Sequence, residues 1–232
     1  MNLRALAPRV LYRNAAYLVA EMRVDEDAAR RWLPAPLRLD SDVAELFTAS
    51  FPSVSFGSVY LEAGLFLRVR HWGRRAIHCP WMVVDDDVAL TLGRELLGYP
   101  KKMAALRWKE DGDRVQADVS RRGTLLVSMR ASVGAPVRSP PPFLARPHRN
   151  LRGVALPWLV GFTPHEVPVE VRDAEIDVRV CGSERDPLHE LKLQTLGRGR
   201  LHRVDIHRGG LPIPLGLASP FSGIRSTQRR FW

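Results

Sequence analysis

The chain has 232 residues, of which 45% are hydrophobic and 26% charged, a composition typical of a folded domain of ordinary to large size. It contains no apolar run of about 20 residues, so no membrane-spanning segment is predicted. The net charge of +10 is spread along the whole sequence without a zinc-finger or RNA-recognition signature, so we expect no nucleic-acid partner. Cys79 and Cys181 match no metal or redox spacing, which favours a cytoplasmic protein without disulfide bonds.

The first third of the chain is predicted to consist of strands around one short helix. Residues 17–24, YLVAEMRV, are predicted to form a strand, and Asp25 can cap a short helix that ends at Trp32, before the prolines of LPAPL. The longest strand signal lies at 54–72, and an apolar segment follows at 76–84. Alternation divides the long strand into two faces: Val59, Leu61, Ala63, Leu65, Leu67 and Val69 on one, and Tyr60, Glu62, Gly64, Phe66, Arg68 and Arg70 on the other.

Residues 85–98 carry the clearest helix signal. One of the three consecutive aspartates at 85–87 can accept hydrogen bonds from the first free backbone amides. Gly98 and Pro100 are residues that end a helix.

The remainder is predicted to be mainly strand. Two hairpins turn at EDGDR and RRG, and a proline-rich loop follows at 138–147. Strands return at 166–180 and 200–207, whereas the tail 210–221 holds too much proline and glycine for regular structure. The pattern indicates a mainly β protein with a few helices (α+β), a single domain over residues 1–232, built as a barrel or a sandwich.

Two adjacent lysines stand out in a chain that otherwise uses arginine. Only four of its 35 basic residues are lysine, and Lys101 and Lys102 are neighbours. Arginine keeps its proton, whereas a lysine amine becomes neutral and nucleophilic where its surroundings disfavour charge. In the strand expected after Pro100, Lys101 would share a face with Met103, and Lys102 would share the other with Ala104. We therefore expect burial of one amine, rather than repulsion between two, to make it reactive; the alternative is a solvated pair of charges.

Other residue types form no recognisable site. The seven histidines include no HExxH spacing, and the cysteines are not paired, so no zinc site is predicted. No GxSxG segment is present, and GRGRLH at 197–202 lacks the third glycine of a dinucleotide-binding loop. No metal, nucleotide or flavin cofactor is expected.

The segment CPWMVVDDDVALTLGRELLGYPKK, residues 79–102, resembles the acetoacetate decarboxylase family. In that family a Gly-Arg-Glu helix leads into Tyr/Phe-Pro-Lys-Lys, and the first lysine of the pair forms a Schiff base with the substrate, a role that falls on Lys101. YLE at 60–62 resembles the family's Tyr-x-Glu strand, whose glutamate faces the active site and corresponds to Glu62. WLPAPL at 32–37 resembles an early proline turn of the family, and the anchors together cover about residues 17–130.

The resemblance implies an antiparallel, cone-like β-barrel with the lysine in its apolar interior. It implies a Schiff-base lyase that decarboxylates a β-keto acid similar to acetoacetate, needs no cofactor and assembles as a homo-oligomer. The residues that it assigns to the site are Lys101 and Glu62 as catalytic groups, with Lys102, Tyr60, Met82 and Met103 in support.

Two departures from the family pattern bear on the substrate. An arginine that precedes the first strand in many members would fall near Ala15, with Arg13 two residues away. A second glutamate would fall near Leu46 or Phe47, with Glu45 adjacent. Neither partner is assigned from the sequence, and acetoacetate itself is therefore in question.

Several alternatives stay open. The same Lys101 could serve an aldolase–dehydratase acting on a related carbonyl compound, or the fold could be a non-catalytic barrel that binds a small anion. Glu62 could instead form a structural salt bridge with Arg68. Tyr60 and Met82 could be ordinary core residues.

Overall fold

The computed structural model describes residues 10–153, 156–207, 209–222 and 224–225. Helices α1 (Glu26–Trp32) and α2 (Asp87–Leu97) and a 3-10 helix (Leu188–Leu191) accompany fourteen strands. The strands are β1 (Val10–Arg23), β2 (Arg38–Phe51), β3 (Ser53–Val54), β4 (Tyr60–His71), β5 (Arg74–Val84), β6 (Lys101–Met103), β7 (Ala105–Asp111), β8 (Arg114–Arg121), β9 (Thr124–Pro136), β10 (His148–Arg152), β11 (Trp158–Phe162), β12 (His165–Val180), β13 (Gln194–His207) and β14 (Ile213–Leu217).

All fourteen strands belong to one sheet. Its path runs β14-β11-β10-β5-β4-β2-β1-β13-β12-β9-β8-β7, while β3 pairs with β1 and β6 pairs with β5. Neighbours are antiparallel, except that β5 is parallel to both β6 and β10. Strands β7 and β14 are the two ends of the path, so hydrogen bonds among the described strands leave the sheet open. The mainly β class is confirmed, with an open sheet in place of a closed barrel.

Both predicted helix starts are confirmed by side-chain caps. Asp25 accepts a hydrogen bond from the Ala28 amide at 2.9 Å at the start of α1, and Asp86 accepts one from the Ala89 amide at 2.7 Å at the start of α2. Gly98 ends α2 with a φ of +67°, and a Cβ there would lie 2.9 Å from the Leu151 carbonyl oxygen. This position therefore requires glycine.

The two hairpins and the strands expected at 166–180 and 200–207 are confirmed, but other elements were missed. Strand β2 was not predicted because its first half, RLDSDV, is polar, and its second half, AELFTASF, is buried on both faces and does not alternate. Strands β10 and β11 were also not predicted. The prediction of an irregular tail was wrong, since Ile213–Leu217 forms β14. Pro214 is tolerated there because β14 pairs only with β11, at the edge of the sheet.

The sheet buries side chains on both faces. Strand β4 divides as the alternation predicts: Ala63, Leu65, Leu67 and Val69 join the larger hydrophobic cluster, which also covers α1. Tyr60 and Phe66 belong to a second cluster on the opposite face. Val59 lies before the strand and is exposed, so the long strand begins later than predicted. Within the described ranges, no helix is long and apolar enough to cross a bilayer.

Candidate active site

The unit β5–α2–β6 brings Lys101 to the second cluster. Strand β6 runs parallel to the end of β5, which places Lys101 opposite Met82. Asn150 fastens the helix that connects them: its Nδ2 donates to the Leu97 carbonyl at 3.1 Å, and its Oδ1 accepts from the Cys79 amide at 3.3 Å. Because the C-terminal end of α2 is thereby linked to β5, the first residue of β6 enters the sheet at a defined position.

Lys101 and Glu62 form a buried ion pair. Nζ of Lys101 lies 2.5 Å from Oε2 of Glu62, and the two side chains are only 7% and 8% exposed. Glu62 comes from the middle of the sheet, opposite Ala49 of β2 and Val84 of β5. Nζ also lies 5.5 Å from the centre of the Tyr60 ring. The pair therefore holds an amine and a carboxylate together in an apolar enclosure, where each offsets the cost of burying the other.

A glycine in α2 makes room for the lysine side chain. A Cβ at Gly93 would lie 2.5 Å from Cε, 2.7 Å from Cδ and 3.0 Å from Nζ of Lys101. These distances are shorter than any ordinary contact between non-bonded heavy atoms. The lysine therefore extends along the helix surface at a place where only glycine leaves space, which explains the glycine of the GRE segment.

Tyr60 lies beside the amine, and the negative charge of Glu62 acts on all four tyrosines of the chain. Burial raises the pKa of Tyr12 to about 12, although a hydrogen bond with Tyr60 opposes the rise. It raises the pKa of Tyr17, Tyr60 and Tyr99 well above the ordinary value, and the negative charge of Glu62 adds to the effect on all four. The phenols therefore remain neutral and can donate hydrogen bonds. We call the space around the ion pair and these four residues the lysine chamber.

Lys102 points to the opposite face, as the alternation predicts. Its Nζ forms an ion pair with Oδ1 of Asp186 and donates to the Arg185 carbonyl at 3.0 Å. Asp186 is also held by Arg121 at 2.8 Å and by the Trp81 indole at 3.2 Å. Burial lowers the pKa of Lys102 below its usual value, against the opposing effect of the Asp186 carboxylate. Lys102 thus belongs to a separate buried network.

The two methionines assigned to the site differ in placement. Met82 is 1% exposed and packs in the second cluster beside Lys101. Met103 is 46% exposed at the end of β6, where the strand leaves the sheet. Met103, to which the resemblance gave a supporting role, is therefore not enclosed with the amine, because alternation gives the side to which a residue points but not the depth at which a short strand ends.

No described group of three or more His, Cys, Asp and Glu side chains is arranged to hold a metal ion. The chemistry available in the lysine chamber is that of an amine, a carboxylate and phenol donors.

A family model described as "Acetoacetate decarboxylase (ADC)" matches residues 3–212. The chain belongs to the acetoacetate decarboxylase family. Its curated relatives include acetoacetate decarboxylase 1 of Mesorhizobium japonicum, 33% identical over 103 residues, and acetoacetate decarboxylase of Clostridium beijerinckii, 32% identical over 123 residues. The matched segments span 44% and 52% of this chain but only 41% and 50% of the two relatives, or about half their length.

Several solved structures share the fold over nearly the whole chain. One acetoacetate decarboxylase structure superposes with a TM-score of 0.80 at 18% identity, covering 91% of both chains. The acetoacetate decarboxylase of Legionella pneumophila gives a TM-score of 0.76 at 15% identity, covering 92% of this chain and 88% of its own. The enduracididine biosynthesis enzyme MppR complexed with pyruvate gives 0.72 at 21% identity, covering 89% and 91%.

This member of the acetoacetate decarboxylase family has apolar residues at Ala15, Leu46 and Phe47, near which the sequence left the arginine and the second glutamate unassigned. Ala15 and Phe47 are both buried. A Cβ at Gly64 would lie 2.8 Å from Cζ of Phe47, so glycine on the neighbouring strand makes room for this ring. Arg13 is exposed beyond the chamber.

The arginines that do meet a buried glutamate lie elsewhere in the sheet. Glu45 is bound by Arg146 through two contacts, at 2.5 and 3.0 Å, and by Arg68 at 3.0 Å. Burial would raise the pKa of Glu45, but the charges of Arg146 and Arg68 outweigh it and hold the pKa below its ordinary value. The alternative salt bridge of Arg68 with Glu62 is not formed, since Arg68 binds Glu45. Arg146 was missed because it lies in the proline-rich loop, 101 positions from Glu45.

Proposed function

We propose that the chain is a Schiff-base enzyme that decarboxylates a β-keto acid, with Lys101 as the nucleophile. The observation that carries the proposal is the buried contact of 2.5 Å between Lys101 and Glu62. The neighbouring helix α2 leaves space for the lysine side chain at Gly93. Membership of the acetoacetate decarboxylase family supports the same chemistry.

The ion pair supplies a neutral amine without changing the net charge of the chamber. Transfer of one proton from Lys101 to Glu62 converts ammonium and carboxylate into amine and carboxylic acid. Because the enclosure has low polarity, loss of the Lys101 proton to solvent would leave the Glu62 carboxylate as a single buried charge. Transfer of the proton to Glu62 avoids that cost. Glu62 then holds a proton within reach of the atoms that react.

The steps follow from that state. The Lys101 amine attacks the ketone to give a carbinolamine, and a proton from Glu62 allows water to leave, which produces a protonated imine. The cationic imine accepts the electron pair of the breaking carbon–carbon bond, so carbon dioxide departs and an enamine remains. Protonation of the enamine on carbon and hydrolysis of the imine release the ketone and restore the lysine. The neutral tyrosines surrounding the chamber can donate hydrogen bonds to the carbinolamine oxygen.

An aldolase–dehydratase is the second candidate. MppR, a neighbour with a TM-score of 0.71, has been solved with the condensation product of pyruvate and imidazole 4-carboxaldehyde. The same Lys101 imine would serve that reaction.

Borohydride trapping tests the proposal. The protein is incubated with acetone, acetoacetate or pyruvate, reduced, and read by intact mass and peptide mapping. We expect one adduct per chain at Lys101, lost in Lys101→Ala and equally in Lys101→Arg, because arginine keeps the charge but not the nucleophile. Lys109→Gln, which removes an exposed lysine, serves as a matched control and should leave the adduct unchanged.

The products separate the candidates. Release of carbon dioxide from acetoacetate supports decarboxylation, whereas condensation of pyruvate with an aldehyde, without carbon dioxide, supports the aldolase–dehydratase. An adduct at Lys102 in place of Lys101 would overturn the assignment of the nucleophile, and the absence of an adduct with every carbonyl compound would favour the non-catalytic barrel.

A further inference from the structure

A second site lies at the other end of the aromatic cluster. The proline-rich loop crosses β1, β2, β4 and β13 there and encloses a cleft of about 210 Å³, whose walls include Glu45, Arg68, Arg146, Phe143 and His202. We call this space the arginine cleft.

The arginine cleft carries an excess of positive charge. Arg68 and Arg146 share the single carboxylate of Glu45, which leaves one positive charge uncompensated among the three. The two other charged side chains on the wall that could alter this balance are already engaged, Arg200 with Asp173 and Glu21 with Arg198. Arg68 is 36% and Arg146 is 23% exposed, so an anion in the cleft can reach both.

A buried histidine in the wall has a free ring nitrogen. His202 is 4% exposed, and its Nδ1 is buried without a hydrogen-bond partner in the described part of the chain. Burial lowers the pKa of His202 to about 4, so the ring is neutral at pH 7. A buried polar atom without a partner costs free energy unless a ligand or water completes it. The orphaned nitrogen thus provides an independent indication that the cleft accepts a polar group.

The arginine cleft is too far from Lys101 to bind the carboxylate that would be lost. Glu62 lies opposite Ala49 of β2, and Glu45 precedes Ala49 by four residues on the same face of that strand. At roughly 3.3 Å per residue, the two glutamates are separated by about 13 Å along the sheet. Aromatic side chains fill the interval, with Phe143 packed against Phe47 on one side and His202 on the other.

We propose that the arginine cleft binds a second, remote carboxylate of the substrate, so that this enzyme acts on oxo acids with an acidic group at the far end of an apolar chain. The inference rests on the proposed function of Lys101. Arg68, Arg146 and His202 are then specificity residues: the arginines bind the carboxylate, and the imidazole completes its contacts. The apolar chain between the carboxylate and the reacting ketone takes the place of the Phe143 ring, which fills the aromatic interval in this structure.

The loop that carries Arg146 also positions Phe143. The Glu166 carboxylate accepts hydrogen bonds from the backbone amides of Phe143, Leu144 and Ala145, at 3.4, 2.5 and 2.9 Å. The Phe143 ring is thereby held between the arginine cleft and the lysine chamber. A substrate carboxylate that takes up the uncompensated positive charge leaves the pairing of Glu45 in place, and the apolar chain enters when the Phe143 side chain rotates out of the interval.

The experiment compares reductive trapping of three ketones at Lys101. They are 8-oxononanoate, which carries a remote carboxylate, 2-nonanone, which is its neutral counterpart, and acetone, which is too short to reach the cleft. We expect half-maximal trapping at a concentration about tenfold lower for 8-oxononanoate than for 2-nonanone, the effect of one charge-assisted hydrogen bond. Arg146→Gln should remove that preference while acetone is still trapped, and Arg107→Gln, which removes an exposed arginine on β7, should retain it.

The outcomes distinguish the two proposals. If acetone is not trapped at all, the function of Lys101 fails. The arginine cleft does not bind a substrate carboxylate if acetone is trapped but 8-oxononanoate and 2-nonanone reach half-maximal trapping at the same concentration. The same conclusion follows if Arg146→Gln leaves the difference between these two ketones intact. If unattached hexanoate accelerates the trapping of acetone, the cleft binds a separate effector, and the proposal is likewise overturned.

Discussion

Replacement of Gly93 by alanine tests whether the helix surface sets the position of the reactive amine. The new Cβ would lie 2.5 Å from Cε and 2.7 Å from Cδ of Lys101. Carbon atoms pack at about 3.5–4.0 Å, so the side chain must move by about 1 Å or more. A movement of that size would break or substantially lengthen the 2.5 Å contact that Nζ makes with Glu62. A misplacement of about 1 Å at a reacting group can cost on the order of 100-fold in rate.

The fold should tolerate the change. Alanine is favoured over glycine inside a helix by about 1 kcal/mol, whereas overpacking costs about 1–3 kcal/mol. The two effects oppose each other, so the net change in the free energy of unfolding should stay within about 2 kcal/mol. In Gly93→Ala, urea unfolding therefore measures the stability of the fold, and the rate of acetone trapping measures the reactivity of Lys101.

The matched control is Thr91→Ala, on the exposed side of the same helix. We expect its trapping rate to equal that of the parent chain, while Gly93→Ala is slower by about 100-fold. If Gly93→Ala unfolds at the same urea concentration and also traps acetone at the parent rate, the close contact of α2 with Lys101 has no part in positioning the amine.

Two further predictions concern stability. Asp186→Asn removes the charge that binds Lys102 and should cost about 3 kcal/mol in the free energy of unfolding, because a buried cation loses its partner; urea denaturation measures this loss, and an unchanged midpoint would contradict it. Burial lowers the pKa of His148 to about 3 from the ordinary 6.5, so between these values only the unfolded chain takes up the proton, and stability falls as the pH drops. His148→Gln should reduce the slope of unfolding free energy against pH by roughly 1.4 kcal/mol per unit between pH 6 and 4, whereas the exposed His165→Gln should keep it; equal slopes in the two variants would refute the assignment.

The sequence predicted well those features that depend on neighbouring residues. The caps at Asp25 and Asp86 follow from short-range hydrogen bonding, and the opposite directions of Lys101 and Lys102 follow from the geometry of one strand. Where a strand was buried on both faces, as in the second half of β2, the alternation disappeared and the prediction failed with it.

The features that were missed depend on residues far apart in the chain. The contact of Glu45 with Arg146 joins a strand to a loop, and no periodic pattern marks either residue as a partner of the other. The exposure of Met103 was missed for a related reason, since its depth is set by where β6 leaves the sheet. The role of Gly93 was also missed, because a glycine in a helical sequence gives no indication of which side chain packs against it.

The position of β6 beside β5 has a consequence for the order in which the protein can fold. Glu62 and Lys101 are 39 positions apart, and the segment between them contains β4, β5 and α2, which are neighbours in space as well as in sequence. Closing this loop costs about 0.8 kcal/mol less chain entropy than closing the 101-position loop between Glu45 and Arg146. The two reactive groups can thus meet within a local unit of the chain, and the proline-rich loop at the arginine cleft can be added after the distant strands have joined the sheet.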